Sequence, residues 1–216
     1  RLLGCRLSTI AVLGDPVVKP SSKYQLIRSF LRCHPKALFF VISTHTAQCL
    51  QKLGYYYHYI GHENTVNLSS LKLNWHSHKS LKYCLSQGNK EPLHIKELTI
   101  DTLPQEQLDD IHHAWLKQKR NTYPYQWFLT RPLTNVDPSS VRCFGAYKKE
   151  ALVGFRLFDP LYKSGVLQGY HPSITRWVTD APSCTSTYIL LKAMAIFKQE
   201  QLTTLKLGLS PFSDNK

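Results

Sequence analysis

Two spacings of hydrophobic residues alternate along the chain and predict interleaved strands and helices. Short apolar or alternating runs predict strands in the first half over residues 5–14, 37–43, 55–60 and 93–99. Apolar residues at helical spacing predict helices over residues 23–33, 44–54, 70–88 and from Pro104 to about Lys119. The first half is therefore predicted to mix strands and helices throughout.

The second half is richer in strands. Residues 141–149 and 151–158 predict a hairpin that turns near Lys149-Glu150, and residues 165–170 and 174–178 predict further strand. The clearest helix is predicted over residues 185–201, and a last strand over residues 203–209. Three strands, a helix and a strand form the core order of N-acetyltransferase-like (GNAT) folds. The pattern thus predicts a fold that contains both helices and strands, α/β in the broad sense and α+β in the strict sense. Its sheets are expected to be mixed, mostly antiparallel, and flanked by helices.

The chain is strongly basic. Its 216 residues suffice for one large domain or two small domains that share a core, and 27 Lys+Arg against 14 Asp+Glu give a net charge of +13. This charge exceeds the roughly 2–8 usual for a small domain. It predicts attraction to polyanions such as nucleic acid, anionic lipid or phosphorylated cofactors, and the alternative is a surface that only serves solubility.

Cysteine spacing and hydropathy exclude two classes of protein. The six cysteines are scattered without a CxxC pair, which argues against a structural zinc site and favours reduced thiols. No apolar run reaches 18 residues, so no membrane-spanning helix is predicted, and no secretory signal is present. Because Arg1 opens the chain and a strand is predicted almost at once, we expect a fragment of a longer protein, and a membrane-spanning region before Arg1 stays an open alternative.

A series of short motifs runs in order along the chain. It comprises Gly14-Asp15-Pro16, FFVISTHTAQCLQKLG (39–54), a basic segment at 78–90, HHAWL (112–116), SITRWVTDAPSC (173–184) and LKLGLSPFSD (205–214). Each motif alone is weak, but the ordered set resembles the synthase domain of bacterial phosphatidylglycerol lysyltransferases. The resemblance covers nearly the whole chain.

This resemblance implies a fold and a reaction. It implies two fused GNAT-like lobes, residues 1–98 and residues 99–216, with most of the site in the second. The implied reaction is transesterification, in which a phospholipid head-group hydroxyl takes the aminoacyl group of an aminoacyl-tRNA at the cytoplasmic face of the membrane. Both substrates are polyanions, which suits the charge of the chain. No metal and no cofactor are expected.

Two alternatives stay open. One is a GNAT-type N-acyltransferase that uses acyl-CoA or an acyl carrier protein thioester as donor. The segment 179–184 contains no glycine, which argues against the usual pyrophosphate loop of acetyl-CoA enzymes. The other alternative is a non-catalytic module whose basic face binds anionic lipid or RNA.

Three residues are predicted to be catalytic. Arg176 matches the arginine of the family motif, and its guanidinium suits a bidentate contact with phosphate or carboxylate. Asp180 either binds the ammonium group of the donor or caps the following helix. His113, or its neighbour His112, is the candidate general base. Each has a plain structural alternative as a surface or packing residue.

A second group is predicted to bind the substrates. Ser173 stands where the family has an aspartate, and His112-His113 and Ser183-Cys184 also depart from the family motifs, which leaves the donor and the acceptor open. The substrate-binding candidates are Ser173, His171, Lys119, Gly208 and Ser210.

A basic helical face is the last predicted site. It is expected to contact tRNA or lipid phosphates, and a merely solvated helix face is the alternative. Its members are His78, Lys79 and Lys82.

Overall fold

A computed structural model describes residues 2–4, 10–71, 79–90, 92–99, 105–118 and 140–211. The described residues fall into two compact units, one that ends at Ile60 and one that begins at Gly61. Sequence reasoning placed the division between residues 98 and 99 instead. The predicted lobes, 1–98 and 99–216, stay a prediction.

The first unit is a small three-stranded sheet with two helices. Its strands are β1 (Leu2–Gly4), β2 (Ile10–Leu13) and β3 (Leu38–Phe40), and its helices are α1 (Lys23–Cys33) and α2 (Thr44–Gln51). The central strand β2 pairs antiparallel with β1 and parallel with β3. Ile27 and Leu31 of α1 pack against Leu50 of α2 in the core of this unit.

The Gly-Asp-Pro turn after β2 is tied to the start of α2. Asp15 accepts hydrogen bonds from the Ser43 amide (2.8 Å) and from the Ser43 hydroxyl (2.6 Å). Its carboxylate also forms an ion pair with the ammonium group of Lys23 (2.9 Å). Ser43 is in turn the N-cap of α2 and accepts a bond from the Thr46 amide. Burial alone would raise the pKa of Asp15, but these hydrogen bonds outweigh it and lower the pKa to about 2. Within this unit the motif therefore has a structural role.

The second unit is built on a six-stranded sheet. Its strands are β4 (Gly61–Asn67), β5 (Leu93–Leu98), β6 (Arg142–Lys148), β7 (Ala151–Lys163), β8 (Val166–Trp177) and β9 (Thr204–Pro211). Their spatial order is β4-β9-β8-β7-β6-β5, and every neighbouring pair is antiparallel except β8 and β9. The helices are α3 (Lys79–Lys90), α4 (Gln105–Lys117) and α5 (Thr185–Gln199).

Alternation of side chains along the strands gives the sheet two covered faces. On one face Phe144 and Phe158 pack edge-on against Phe197 of α5. On the other face Leu157 and Ile174 pack with Leu108 and Ile111 of α4. The predicted mixed, mostly antiparallel sheet flanked by helices is confirmed.

The strand predicted over residues 55–60 is wrong. This segment forms no strand, and Tyr56 is 97% exposed, whereas the next seven residues form β4. The two strand segments predicted over 165–170 and 174–178 are one continuous strand, β8, with an irregular register at its middle.

Strands β8 and β9 pair at only two positions and then part. The pairs are Gly169 with Thr204 and Tyr170 with Leu205, after which β9 pairs with β4 alone. A Cβ on Gly169 would lie 1.6 Å from the Thr204 carbonyl oxygen, so only glycine fits at this junction. The part of β8 beyond the junction carries three of the predicted site residues, His171, Ser173 and Arg176.

Candidate functional site

Arg176 lies near the end of β8 and is held by α4. Its guanidinium carbon lies 3.9 Å from the centroid of the Trp115 ring, and its Nε donates a hydrogen bond to Nδ1 of His112 at 3.1 Å. Nη1 donates to the carbonyl oxygen of Thr175 at 2.8 Å. Although charged, Arg176 is only 8% exposed. The aromatic stack and these hydrogen bonds therefore fix a buried positive charge on the α4 face of the sheet.

His112 is the partner that sequence reasoning ranked below His113. Burial, then the positive charges of Arg176 and His113, lower the pKa of His112, which favours the neutral imidazole. Because Nδ1 accepts the bond from Arg176, the single proton of the neutral ring is on Nε2. The N–H donor of the His112 ring is therefore at Nε2. His113 is exposed on α4, and its role as general base stays a prediction.

His171 has the opposite arrangement of its ring nitrogens. It lies directly after the junction of β8 and β9, and its Nδ1 is 3.1 Å from the carbonyl oxygen of Lys206. A carbonyl oxygen only accepts, so Nδ1 carries the proton. Gly208, predicted to line the site, lies beside this ring: a Cβ on it would be 3.5 Å from His171 Cε1, and its φ of +93° suits glycine.

Ser173 is the extra residue of a β-bulge. Leu157 pairs with Ile174 and Phe158 pairs with Pro172, so the register shifts by one residue at Ser173. Its hydroxyl donates to Oδ1 of Asp159 at 3.0 Å. Asp159 in turn lies directly opposite His171 on the neighbouring strand. Ser173 occupies the position at which the family motif has an aspartate. The carboxylate of Asp159 thus lies next to that position.

Sequence reasoning missed Asp159 because no motif marks it. Only the cross-strand register of β7 and β8 brings it to His171 and Ser173. A weak signal existed, because the sequence predicted the hairpin of β6 and β7 and a further strand after it. If that strand, β8, pairs antiparallel with β7, each β8 residue lies opposite a β7 residue. The bulge at Ser173 shifts that register by one residue, and this shift is not readable from the sequence.

The beginning of α5 lacks a side-chain cap. Its N-cap is Cys184, which makes no capping hydrogen bond, and Asp180 is exposed four residues earlier. The alternative role of Asp180 as the N-cap of this helix is therefore wrong, and its role toward the donor stays a prediction. Arg156 of β7 reaches the first turn of α5 instead, where Nη2 donates to Ser186 Oγ at 2.7 Å. Burial lowers the pKa of Arg156 to about 10.

The remaining predicted residues are spread over the second unit. Ser210 on β9 accepts a hydrogen bond from the Asn64 side chain of β4 at 2.5 Å. Lys79 and Lys82 are exposed on α3. Lys119 and His78 lie outside the described residues.

The residues described contain no group of three or more His, Cys, Asp and Glu side chains that is arranged to hold a metal ion. None of the helices within the same ranges has the length and the apolar character needed to cross a membrane.

Comparison with known proteins gives the family. The sequence model described as "Phosphatidylglycerol lysyltransferase, C-terminal" matches residues 4–215. The chain belongs to this family. No curated protein matches the sequence.

Solved structures show the same fold for this lysyltransferase-family chain. One is the C-terminal domain of a putative lysylphosphatidylglycerol synthetase from Agrobacterium fabrum, with a TM-score of 0.77 and 17% identity over 98% of this chain and 67% of that one. Another is L-PGS from Bacillus licheniformis, with a TM-score of 0.75 and 18% identity over 96% of this chain and 64% of that one. FemX is more distant, with a TM-score of 0.57 and 11% identity over 96% of this chain and 73% of that one. The chain thus spans about two thirds of the length of the first two.

Proposed function

We propose that this chain moves an aminoacyl group from aminoacyl-tRNA to the head-group hydroxyl of an anionic phospholipid, on the cytoplasmic side of a membrane surface. Membership of the lysyltransferase family over residues 4–215 carries this proposal. The buried charge of Arg176, on the part of β8 that runs beyond its pairing with β9, supports it, since both substrates contain phosphates. The amino acid is left open, because Ser173 differs from the family motif.

The reaction needs a nucleophile, a leaving group and charge stabilisation. The lipid hydroxyl attacks the ester carbonyl carbon, a new C–O bond forms, and the bond to the 2′ or 3′ oxygen of the tRNA breaks. The hydroxyl proton ends on that tRNA oxygen, so the reaction consumes no further reagent. In this proposal Arg176 and the Nε2–H of His112 hold a phosphate of one substrate, and the protein acts mainly by positioning.

The charge of the chain supports the same partners. The net charge of +13 raises the local concentration of both tRNA and anionic vesicles. Exposed Lys79 and Lys82 lie on one helix, α3, whose Leu81 and Leu85 pack into the core. This helix therefore presents its basic side outward, and we expect transfer to slow as salt is raised.

Transfer is tested with the purified chain, phosphatidylglycerol vesicles and tRNA charged with a radiolabelled amino acid. Label that appears in the extracted lipid supports the proposal, and a panel of charged tRNAs names the amino acid. Arg176→Lys keeps the charge but loses the planar contact with Trp115, and we expect a loss of roughly 100-fold. Arg32→Lys, at an exposed position on α1, is the matched control, and we expect it to retain the rate.

Two results contradict the proposal and select an alternative. Turnover with an acyl-thioester but none with any charged tRNA identifies an N-acyltransferase. Binding of vesicles or RNA without turnover of either donor identifies a binding module.

A further inference from the structure

We propose that His171 is the proton acceptor of the transfer reaction and that Asp159, oriented by Ser173, stabilises the imidazolium ion that forms. This proposal rests on the proposed function for the identity of the nucleophile, a hydroxyl group. It rests on geometry alone for the choice of His171 over His112.

The first argument is the proton on the ring of His171. Its Nδ1 donates to the carbonyl oxygen of Lys206 at 3.1 Å, so in the neutral ring the lone pair is on Nε2. His112 has the reverse arrangement, because its Nδ1 accepts from Arg176. Of these two rings on β8 and α4, only His171 therefore presents a basic nitrogen that the protein leaves available for a substrate proton.

The second argument is the position of the ring. His171 is the first residue of β8 after its pairing with β9 ends, so it lies where the sheet opens. Its hydrogen bond to the carbonyl oxygen of Lys206 on β9 fixes the ring plane. Gly208 adds no side chain beside Cε1, where a Cβ would lie at 3.5 Å. A substrate hydroxyl thus has room beside a ring whose orientation is set.

The third argument is the charge around the ring. Asp159 lies directly opposite His171 on β7, and opposed residues of antiparallel strands have Cβ atoms about 4.5–5.5 Å apart. Lys206 lies on β9, and its ammonium group is bound by Glu63 at 2.7 Å. Asp159 therefore places a negative charge on the strand position opposite His171, while Glu63 offsets the charge of Lys206. The hydroxyl of Ser173 donates to Oδ1 of Asp159 and orients this carboxylate.

The proton step balances without a further reagent. The lipid hydroxyl gives its proton to His171 Nε2 as its oxygen attacks the ester carbonyl. When the bond from the carbonyl carbon to the tRNA oxygen breaks, the imidazolium returns the proton to that oxygen. Arg176 is five residues further along β8, about 16 Å between Cα atoms, so it acts on another part of the substrates, such as a phosphate.

The kinetic test uses the purified chain with charged tRNA and phosphatidylglycerol vesicles. His171→Gln keeps a hydrogen-bonding side chain but has no basic nitrogen. We expect it to lower kcat by 100-fold or more with little change in KM and to remove the fall in rate at acidic pH. Asp159→Asn should lower kcat less and leave that acidic limb in place. His94→Gln, at an exposed position on β5, is the control for a histidine exchange, and we expect it to keep the wild-type dependence of rate on pH.

A measurement independent of activity separates this inference from the proposed function. Nitrogen-15 NMR of the imidazole rings reports which nitrogen carries the proton at high pH. We expect a protonated Nδ1 and a bare Nε2 for His171, assigned by loss of the signal in His171→Gln. A protonated Nε2 on His171 overturns the inference even in a chain that transfers no aminoacyl group.

The kinetic result also decides between two histidines. If His113→Gln removes the activity and the acidic limb while His171→Gln retains both, His113 is the base and the inference is wrong. If the wild type transfers nothing from any charged tRNA, the proposed function fails, and the NMR result alone decides on the ring of His171.

Discussion

Arg156 and Arg142 lie on neighbouring strands and offer opposite predictions for stability. Among the described residues, Arg156 makes one hydrogen bond, to Ser186, and its Nε has no partner although it is buried. Arg142 on β6 binds both Glu97 and Glu200, each through two nitrogen–oxygen contacts between 2.5 and 2.9 Å. We expect Arg156→Met to stabilise the chain and Arg142→Met to destabilise it.

The magnitude for Arg156 follows from its pKa. Burial lowers this pKa from the usual range of arginine to about 10, so the fold disfavours the charged form by about 3 kcal/mol. The penalty is fully present below pH 10 and disappears only as pH rises from there toward the pKa of arginine in the unfolded chain, so it applies at neutral pH. Methionine retains most of the apolar contact but loses a hydrogen bond worth about 1 kcal/mol. The net gain is about 2 kcal/mol, or roughly 4–8 °C in Tm.

Arg142 gives the matched control. Its side chain is 17% exposed and those of its two glutamates are 43% exposed, so solvent screens the ion pairs in part. Removal of the arginine should cost about 1–2 kcal/mol. Calorimetry of the two variants at pH 7 checks both signs. A lower Tm for Arg156→Met would refute the reasoning, because it would mean that the buried guanidinium is compensated within the fold.

Three further predictions concern other parts of the chain. Hydrogen bonds lower the pKa of Asp15 to about 2, and after solvent screening this shift contributes about 1 kcal/mol to the free energy of unfolding. The contribution is present above pH 4 and lost as pH falls through 2. Asp15→Asn should therefore reduce the loss of stability that acid titration of the folded protein shows between pH 4 and pH 2. Gly169→Ala should cost several kcal/mol in urea unfolding, because its Cβ meets backbone, whereas Gly165→Ala, with a φ of +80° and open space, should cost only roughly 1–2 kcal/mol. Burial raises the pKa of the Cys84 thiol to about 11, so at pH 8 peptide mapping should find iodoacetamide on exposed Cys33 before it appears on Cys84.

Local sequence patterns predicted the helices and the strands β5 to β9 of the second unit because both faces of its sheet are covered, but they did not predict β4. Phe144 and Phe158 alternate with Cys143 and Leu157 between the two faces, and this alternation is visible in the sequence. The segment 55–60 misled the same reasoning, because its tyrosines have high strand propensity but lie in solvent, with Tyr56 97% exposed. Propensity alone therefore did not decide the structure where packing was absent.

The candidate site was less predictable, because it depends on pairs of residues that are distant in sequence. Arg176 was found through its motif and His171 through its place just before Pro172, but their partners His112 and Asp159 are set by the packing of α4 and by the register of β7. The bulge at Ser173 decides which residue of β7 faces His171, and a bulge leaves no clear trace in a single sequence.

The two ring arrangements explain how one sheet face can serve two chemical needs. His112 is held neutral by burial and by Arg176, and its proton lies on Nε2, which suits a donor to an anion. His171 is held by a carbonyl oxygen, and its lone pair lies on Nε2, which suits an acceptor of a proton. A substrate that carries a phosphate and a reactive hydroxyl needs both. The role of each ring follows from the partner of its Nδ1. Exchange of Arg176, the side-chain partner of His112, should therefore alter the role of that ring while the fold stays intact.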